Sequence, residues 1–295
     1  MSDERVPAGD LGPAVVSALS PLPAGYQALL ARAVEVWRGD ERVEAVWLSG
    51  SLAKGTADSA SDLDLVVTAT PGGVASFADD WPTWRGAITD TVLARQVGRL
   101  RVWTMVTPDW LRWDVVLESS EECLREVVAA RLAVWDPTGL ASRIPVPRPP
   151  EGPNPDRVAA LIEEWFRVTA MPDVILTRHD WLLAGEHVHY LRDLLYRLGV
   201  EAGAPHPPSG VKRWSSRITP DVRAALERLP ATASSAESLE AAHLAISRVF
   251  LVTAEALAHR LQIPWPAALE AAAARRLRAV WGMMDPYPRD SGHKE

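Results

Sequence analysis

Two kinds of apolar spacing divide this chain, and they change over at a run of prolines. Residues 1–23 hold four prolines and no sustained pattern, which predicts an irregular lead-in. Tyr26, Leu29, Leu30, Ala33, Val34 and Trp37 then fall on one face of a helix over 24–39. Val43–Leu48 and Leu63–Ala69 are short apolar runs bounded by Gly, Ser and Asp, and they read as buried strands. Pro71-Gly72-Gly73 ends the second, and a helix carrying Phe77, Trp81 and Trp84 is expected over 74–85. Leu100–Thr107 alternates, Pro108-Asp109 turns, and Leu111–Leu117 returns beside it as a hairpin. A short helix over 120–133 and an edge strand at Ala133-Val134-Trp135 complete this part.

From Ser142 to Pro155 six of the residues are proline, the mark of a semi-rigid linker. Beyond it the apolar spacing is helical throughout. Helices are expected over 156–170 and 174–199, from Thr219-Pro220 with Thr219 as cap, over 235–262 and over 266–284. Strands followed by helices predict an α+β chain: an N-terminal domain over 1–141, a linker over 142–155, an all-α bundle over 156–285 and a polar tail over 286–295.

The chemistry concentrates in residues 46–67. The first strand ends in Ser49-Gly50-Ser51, and eleven residues after Ser51 the chain re-enters a strand on Asp62-Leu63-Asp64. Strand side chains alternate, so Asp62 and Asp64 point one way while Leu63, Leu65 and Val67 point into the core. Two carboxylates so close call for a cation, and Mg²⁺ prefers one or two carboxylates together with substrate phosphates. A Gly-Ser turn lets backbone N–H groups and a hydroxyl approach a phosphate. On the hairpin's second arm, Arg112, Asp114 and Val116 share one face, opposite Trp113, Val115 and Leu117. Asp114 either joins the other two acids or forms a salt bridge, with Arg112 for instance, on an exposed face; spacing alone does not decide.

Gly50-Ser51 followed by Asp62-x-Asp64 at the head of a strand resembles the signature of the DNA polymerase β-like nucleotidyltransferases, and Ala53-Lys54-Gly55-Thr56 resembles their small antibiotic-modifying members. The likeness covers residues 43–118 and is only architectural after that. It implies a small mixed β-sheet flanked by helices, with a helical domain closing over the nucleotide. It also implies that Gly50 and Ser51 hold nucleotide phosphates, that Asp62 and Asp64 bind metal, and that Asp114 is the third carboxylate, as metal ligand or general base. Two Mg²⁺ ions and ATP or another nucleoside triphosphate would be required. Val211-Lys212-Arg213-Trp214 is similar to the segment that brings a basic residue to the triphosphate, which makes Lys212 a nucleotide-binding candidate; a solvated lysine is the other reading.

Composition narrows the substrate. The net charge is −7, with 20 acids against 14 bases in residues 1–150 and 18 against 17 thereafter. No basic stripe for a long nucleic acid is evident, and the acidic half favours a cationic or neutral small partner. One cysteine, Cys123, an N-terminus without an apolar h-region and no run of about 18 uninterrupted apolar residues lead to the expectation of a cytoplasmic protein. His187 and His189 lie two apart on a helix and cannot share an ion. Of thirteen tryptophans, Trp47, Trp103 and Trp165 are expected in the core, whereas Trp110 and Trp214 stand in or beside loops. The resemblance thus leads to an adenylyltransferase acting on a hydroxyl of an aminoglycoside or lincosamide antibiotic. Nucleotidylation of a protein or tRNA, and a non-catalytic nucleotide-binding module, are the rival expectations.

Overall fold

The computed structural model describes residues 11–125, 130–146, 152–203, 211–282 and 285–287, without the side chains of 211–213. The chain divides into two compact units, Met1–Pro149 and Pro150–Glu295. The first is built on a six-stranded mixed sheet of order β3-β4-β5-β2-β1-β6. Its strands are β1 (Val43–Leu48), β2 (Leu63–Ala69), β3 (Leu93–Gln96), β4 (Val102–Val106), β5 (Arg112–Ser119) and β6 (Leu132–Trp135). Helices α1 (Pro13–Leu19), α2 (Gly25–Arg38), α3 (Gly50–Ala53), α4 (Val74–Asp79), α5 (Trp81–Ile88) and α6 (Ser120–Arg125) accompany them. The β4–β5 hairpin is antiparallel, but β5 runs parallel to β2, and that single parallel pair puts the hairpin's second arm beside the Asp-x-Asp strand.

The sheet's two faces follow from alternation. Leu63, Leu65 and Val67 of β2 and Trp113, Val115 and Leu117 of β5 are buried in one apolar core with Leu30, Ala33 and Trp37 of α2. The opposite face carries Asp64 and Asp114, then Val66, and then a polar network. Trp47 Nε1 donates to Thr68 Oγ1 (2.9 Å), Thr68 Oγ1 donates to Glu118 Oε1 (3.1 Å), and Arg131 pairs with Glu118, its Nη2 at 2.7 Å from Oε2.

Three elements of the first unit differ from expectation. The lead-in holds α1, which Pro13 opens and which buries Val15 and Leu19 one turn apart. The helix expected over 74–85 is two, because Pro82 has no N–H to give the preceding turn; Asp80 ends one helix and starts the other. Edge strand β3 lacks alternation, since Leu93, Arg95 and Gln96 are all exposed, and its hydrogen bonds to β4 alone define it. Residues 126–129 of the expected 120–133 helix lie outside the described residues.

The second unit comprises α7 (Pro155–Thr169), α8 (Pro172–Arg178), α9 (Trp181–Ala202), α10 (Pro220–Arg228), α11 (Ala236–Leu261) and α12 (Ala267–Trp281), with a 3-10 segment at Val211–Arg217. The single helix expected over 174–199 breaks at His179, whose φ is 51°, and Asp180 accepts from Leu183 N (3.0 Å) to cap α9. Thr219 caps α10 as its sequence predicts. The core gathers Trp165, Phe166, Val188, Leu191, Leu195, Ile246 and Phe250, and Tyr287 returns to it from beyond α12, its hydroxyl 2.8 Å from Thr169 Oγ1. By length and composition α11 could cross a membrane, yet half of its most apolar stretch is buried inside the protein.

Candidate active site

Asp64 and Asp114 are register partners on parallel strands, so their side chains leave the same face of the sheet. Asp62 stands just before β2 and is buried, whereas the other two are half-buried. A carboxylate oxygen of each of the three lies within 4.8 Å of those of the other two. No other group of three His, Cys, Asp or Glu comes together in this way among the described residues. Oxygen-only donors at this spacing suit a hard divalent cation such as Mg²⁺.

The Gly-Ser turn is built against the triad. Ser49 N–H donates to the Asp64 carbonyl (2.9 Å), and Gly50 follows with φ 57°. A Cβ at Gly50 would lie 2.0 Å from Asp64 Oδ2 and 2.9 Å from its Cγ. Only glycine meets both demands, a left-handed backbone and no side chain. Half-buried Ser51 is the second residue of the short α3, and Thr56 N–H donates back to the Ser51 carbonyl (2.9 Å), closing the loop that contains Lys54. Lys212 lies in the 3-10 segment of the second unit, and its side chain is outside the described residues.

Two neighbours of the triad have contacts that the sequence did not show. Thr104 of β4 is the register partner of Asp114 and extends the row Asp64–Asp114–Thr104 across three strands. Arg112 does not bridge to Asp114; its Nη2 donates to the Ala60 carbonyl (2.8 Å). Side-chain parity places Arg112 on the site face, but only coordinates show where its guanidinium goes.

The remaining candidates separate clearly. Trp47, Trp103 and Trp165 are buried, as expected from their apolar-face positions. Trp110 is 72% exposed at the β4–β5 turn, and Trp214 stacks on Tyr196 with ring centroids 3.7 Å apart. His187 is half-buried and His189 exposed, consistent with their diverging directions on α9. Burial holds the His187 imidazole down at about 4. His243 of α11 is pushed to about 3, first by burial and then by His187, against a weak opposing pull from the Pro286 backbone.

Comparison with known proteins agrees with this geometry where it speaks. Residues 30–92 match the nucleotidyltransferase domain family, a stretch that contains Gly50, Ser51, Asp62 and Asp64 but stops short of Asp114. No curated protein matches the sequence. Among solved structures, an aminoglycoside 6-adenyltransferase from Bacillus subtilis is similar at 12% identity and TM-score 0.40, over 85% of this chain and 96% of that one. A CCA-adding enzyme is similar at 12% identity and TM-score 0.31, over 72% of this chain and 58% of its own. CdnG of Bradyrhizobium diazoefficiens, in complex with GTP, is similar at 15% identity and TM-score 0.26, over 90% and 98%. Scores this low carry no weight on substrate, and the family match and the triad stand without them. Residues 30–92, within the first unit, carry a nucleotidyltransferase domain.

Proposed function

We propose that the protein moves a nucleoside monophosphate, AMP from ATP in the leading case, onto a hydroxyl of a small molecule such as an aminoglycoside or lincosamide antibiotic. The observation that carries this reading is the meeting of Asp62, Asp64 and Asp114 within 4.8 Å beside Gly50. Mg²⁺ held there, as two ions, would supply Lewis-acid stabilisation of the phosphoryl oxygens. The chain's own residues do the positioning. Gly50 leaves room for backbone beside Asp64, and Ser51 offers its hydroxyl to a phosphate oxygen. Asp62 and Asp64 form the cation seat that the triphosphate shares. The acceptor oxygen bonds to the α-phosphorus while the bond from that phosphorus to the bridging oxygen breaks. Pyrophosphate leaves with the electron pair, and the hydroxyl proton passes to Asp114. Positioning and electrostatics supply most of the rate in such a transfer.

The excess of acids in residues 1–150, 20 against 14 bases, supports a cationic or neutral acceptor over a polynucleotide. A cytoplasmic location goes with a nucleoside triphosphate as co-substrate. The purified protein, incubated with each labelled nucleoside triphosphate, Mg²⁺ and a panel of antibiotics and other hydroxyl compounds, should release pyrophosphate and give a product heavier by one nucleotidyl group. Release only with protein or tRNA added would move the acceptor to a macromolecule. A cellular effect that survives in both Asp62→Asn and Asp114→Asn would make the protein a binding module.

A further inference from the structure

The three carboxylates are not held equally. Asp64 and Asp114 lie within the β2–β5 ladder, whose register begins at Leu63 and Trp113. Asp62 stands one residue before the first register pair, so the ladder holds it from its C-terminal side only. The turn that leads into it must be held as well, because a cation site needs its ligands set to within fractions of an ångström.

Arg112 is placed to do this. The register that sets Leu63 against Trp113 brings Asp62 level with Arg112 across the strand pair. The backbone of Arg112 is anchored from α2, its N–H donating to the Tyr26 hydroxyl (3.1 Å). Its guanidinium reaches sideways to the carbonyl of Ala60, two residues before Asp62. The segment it grips is a closed turn. Ala60 N–H donates to Asp58 Oδ1 (3.0 Å), Asp58 N–H to Ser61 Oγ (3.0 Å), Ser61 Oγ to Asp58 Oδ1 (3.2 Å), and Ser61 N–H to the Asp58 carbonyl (3.0 Å). One hydrogen bond from Arg112 therefore locates a rigid turn rather than a single residue.

We propose that Arg112 is a positioning residue that ties the Asp58–Ser61 turn to β5 and thereby sets the spacing of Asp62 from Asp114 for cation binding. The proposal rests on the reading of the triad as a cation site. Mn²⁺ binding to the full-length protein, measured by calorimetry or electron paramagnetic resonance without nucleotide, tests it. Arg112→Gln should weaken binding by about tenfold or more, the usual cost of removing a group that orients a metal ligand. Arg112→Lys, which can still reach the carbonyl with a charged donor, should recover most of that loss; general destabilisation would not follow this order. Asp58→Ala, at an exposed position, loosens the same turn from its other side and should weaken binding in the same direction. It decides the matter if Arg112→Gln fails to fold by circular dichroism. Asp114→Asn serves as the reference for the site. If it abolishes Mn²⁺ binding while Asp58→Ala and folded Arg112→Gln bind like the wild type, the positioning role is wrong and the triad reading stands. If the wild type binds no Mn²⁺ that Asp114→Asn removes, both fall together.

Discussion

Two gatherings of polar groups among the described residues are built differently. In the first unit, Asp62, Asp64 and Asp114 converge at one end of a sheet, two of them half-buried, each placed by backbone: a strand register, a glycine turn, a tied loop. In the second unit, His243 and Ser247 are fully buried on one face of α11; Ser247 Oγ meets no hydrogen-bond partner among the described residues, and the His243 ring has only the Pro286 backbone near it as a hydrogen-bonding group. Trp165 Nε1 and Trp281 Nε1 are likewise buried without partners, and the Trp281 ring lies 4.8 Å from that of His243. Burial by itself therefore does not distinguish a reactive centre. The first group has like ligands, shared direction and access; the second has none of these and is a sealed polar defect in a core, with a cost but no evident chemistry.

That contrast is sharpest in what a single atom should do. Replacing one carboxylate oxygen in Asp64→Asn keeps the shape of the side chain and removes its charge. Transfer activity should fall by about a thousandfold with little change in melting temperature. Equal loss of folding would place Asp64 among the structural groups and erase the distinction. Gly50→Ala should come next, at about a hundredfold loss of activity, since a Cβ 2.0 Å from Asp64 Oδ2 displaces a group whose misplacement by about 1 Å is costly. The left-handed backbone at φ 57° adds about 1–2 kcal/mol of instability. Wild-type activity in this variant would mean that the turn and Asp64 can move apart freely.

The triad was legible and its support was not, for a physical reason. Alternation alone sets Asp62 with Asp64 and Asp114 with Val116, because a strand has a period of two and the opposite positions are apolar. That β5 lies parallel to β2, which brings the two sets together, is a long-range pairing that no local pattern encodes; the resemblance to a known signature named Asp114 as the third carboxylate but not that pairing. Arg112's hydrogen bond to Ala60, Thr104 opposite Asp114 and the exposed strand β3 leave no periodic trace at all. In the helical unit the apolar stripes gave the helices, but His179 and Asp180 split one of them through a left-handed residue and a side-chain cap, features of one or two residues that a stripe averages over.

The buried histidines should reveal themselves through acid. With an ordinary imidazole pKa near 6.5 and a folded value of about 3, His243 binds no proton in either state above neutrality. As pH falls below about 6.5 the unfolded chain takes up a proton that the folded one refuses, so stability declines until about pH 3. At pH 5 this amounts to about 2 kcal/mol from His243. Urea unfolding of the whole protein at pH 7.5 and pH 5, compared with His243→Leu, should show the variant losing less stability on acidification by that amount. An identical loss in both proteins would mean that the imidazole titrates normally inside the bundle.

The smallest effect bears on the same comparison from the other side. Ser247 lies one helical turn from His243, fully buried, and its Oγ has no partner among the described residues. An unpaired buried hydroxyl carries a desolvation cost of about 1–3 kcal/mol, against which Ser247→Ala gives up very little packing volume. The substitution should therefore raise stability by about 1 kcal/mol and leave nucleotidyl transfer unchanged. A loss of similar size would show that the hydroxyl is satisfied in solution, so that the polar cluster in the bundle is a built network after all. The distinction between the two polar groups would then rest on access and charge, not on whether their hydrogen bonds are made.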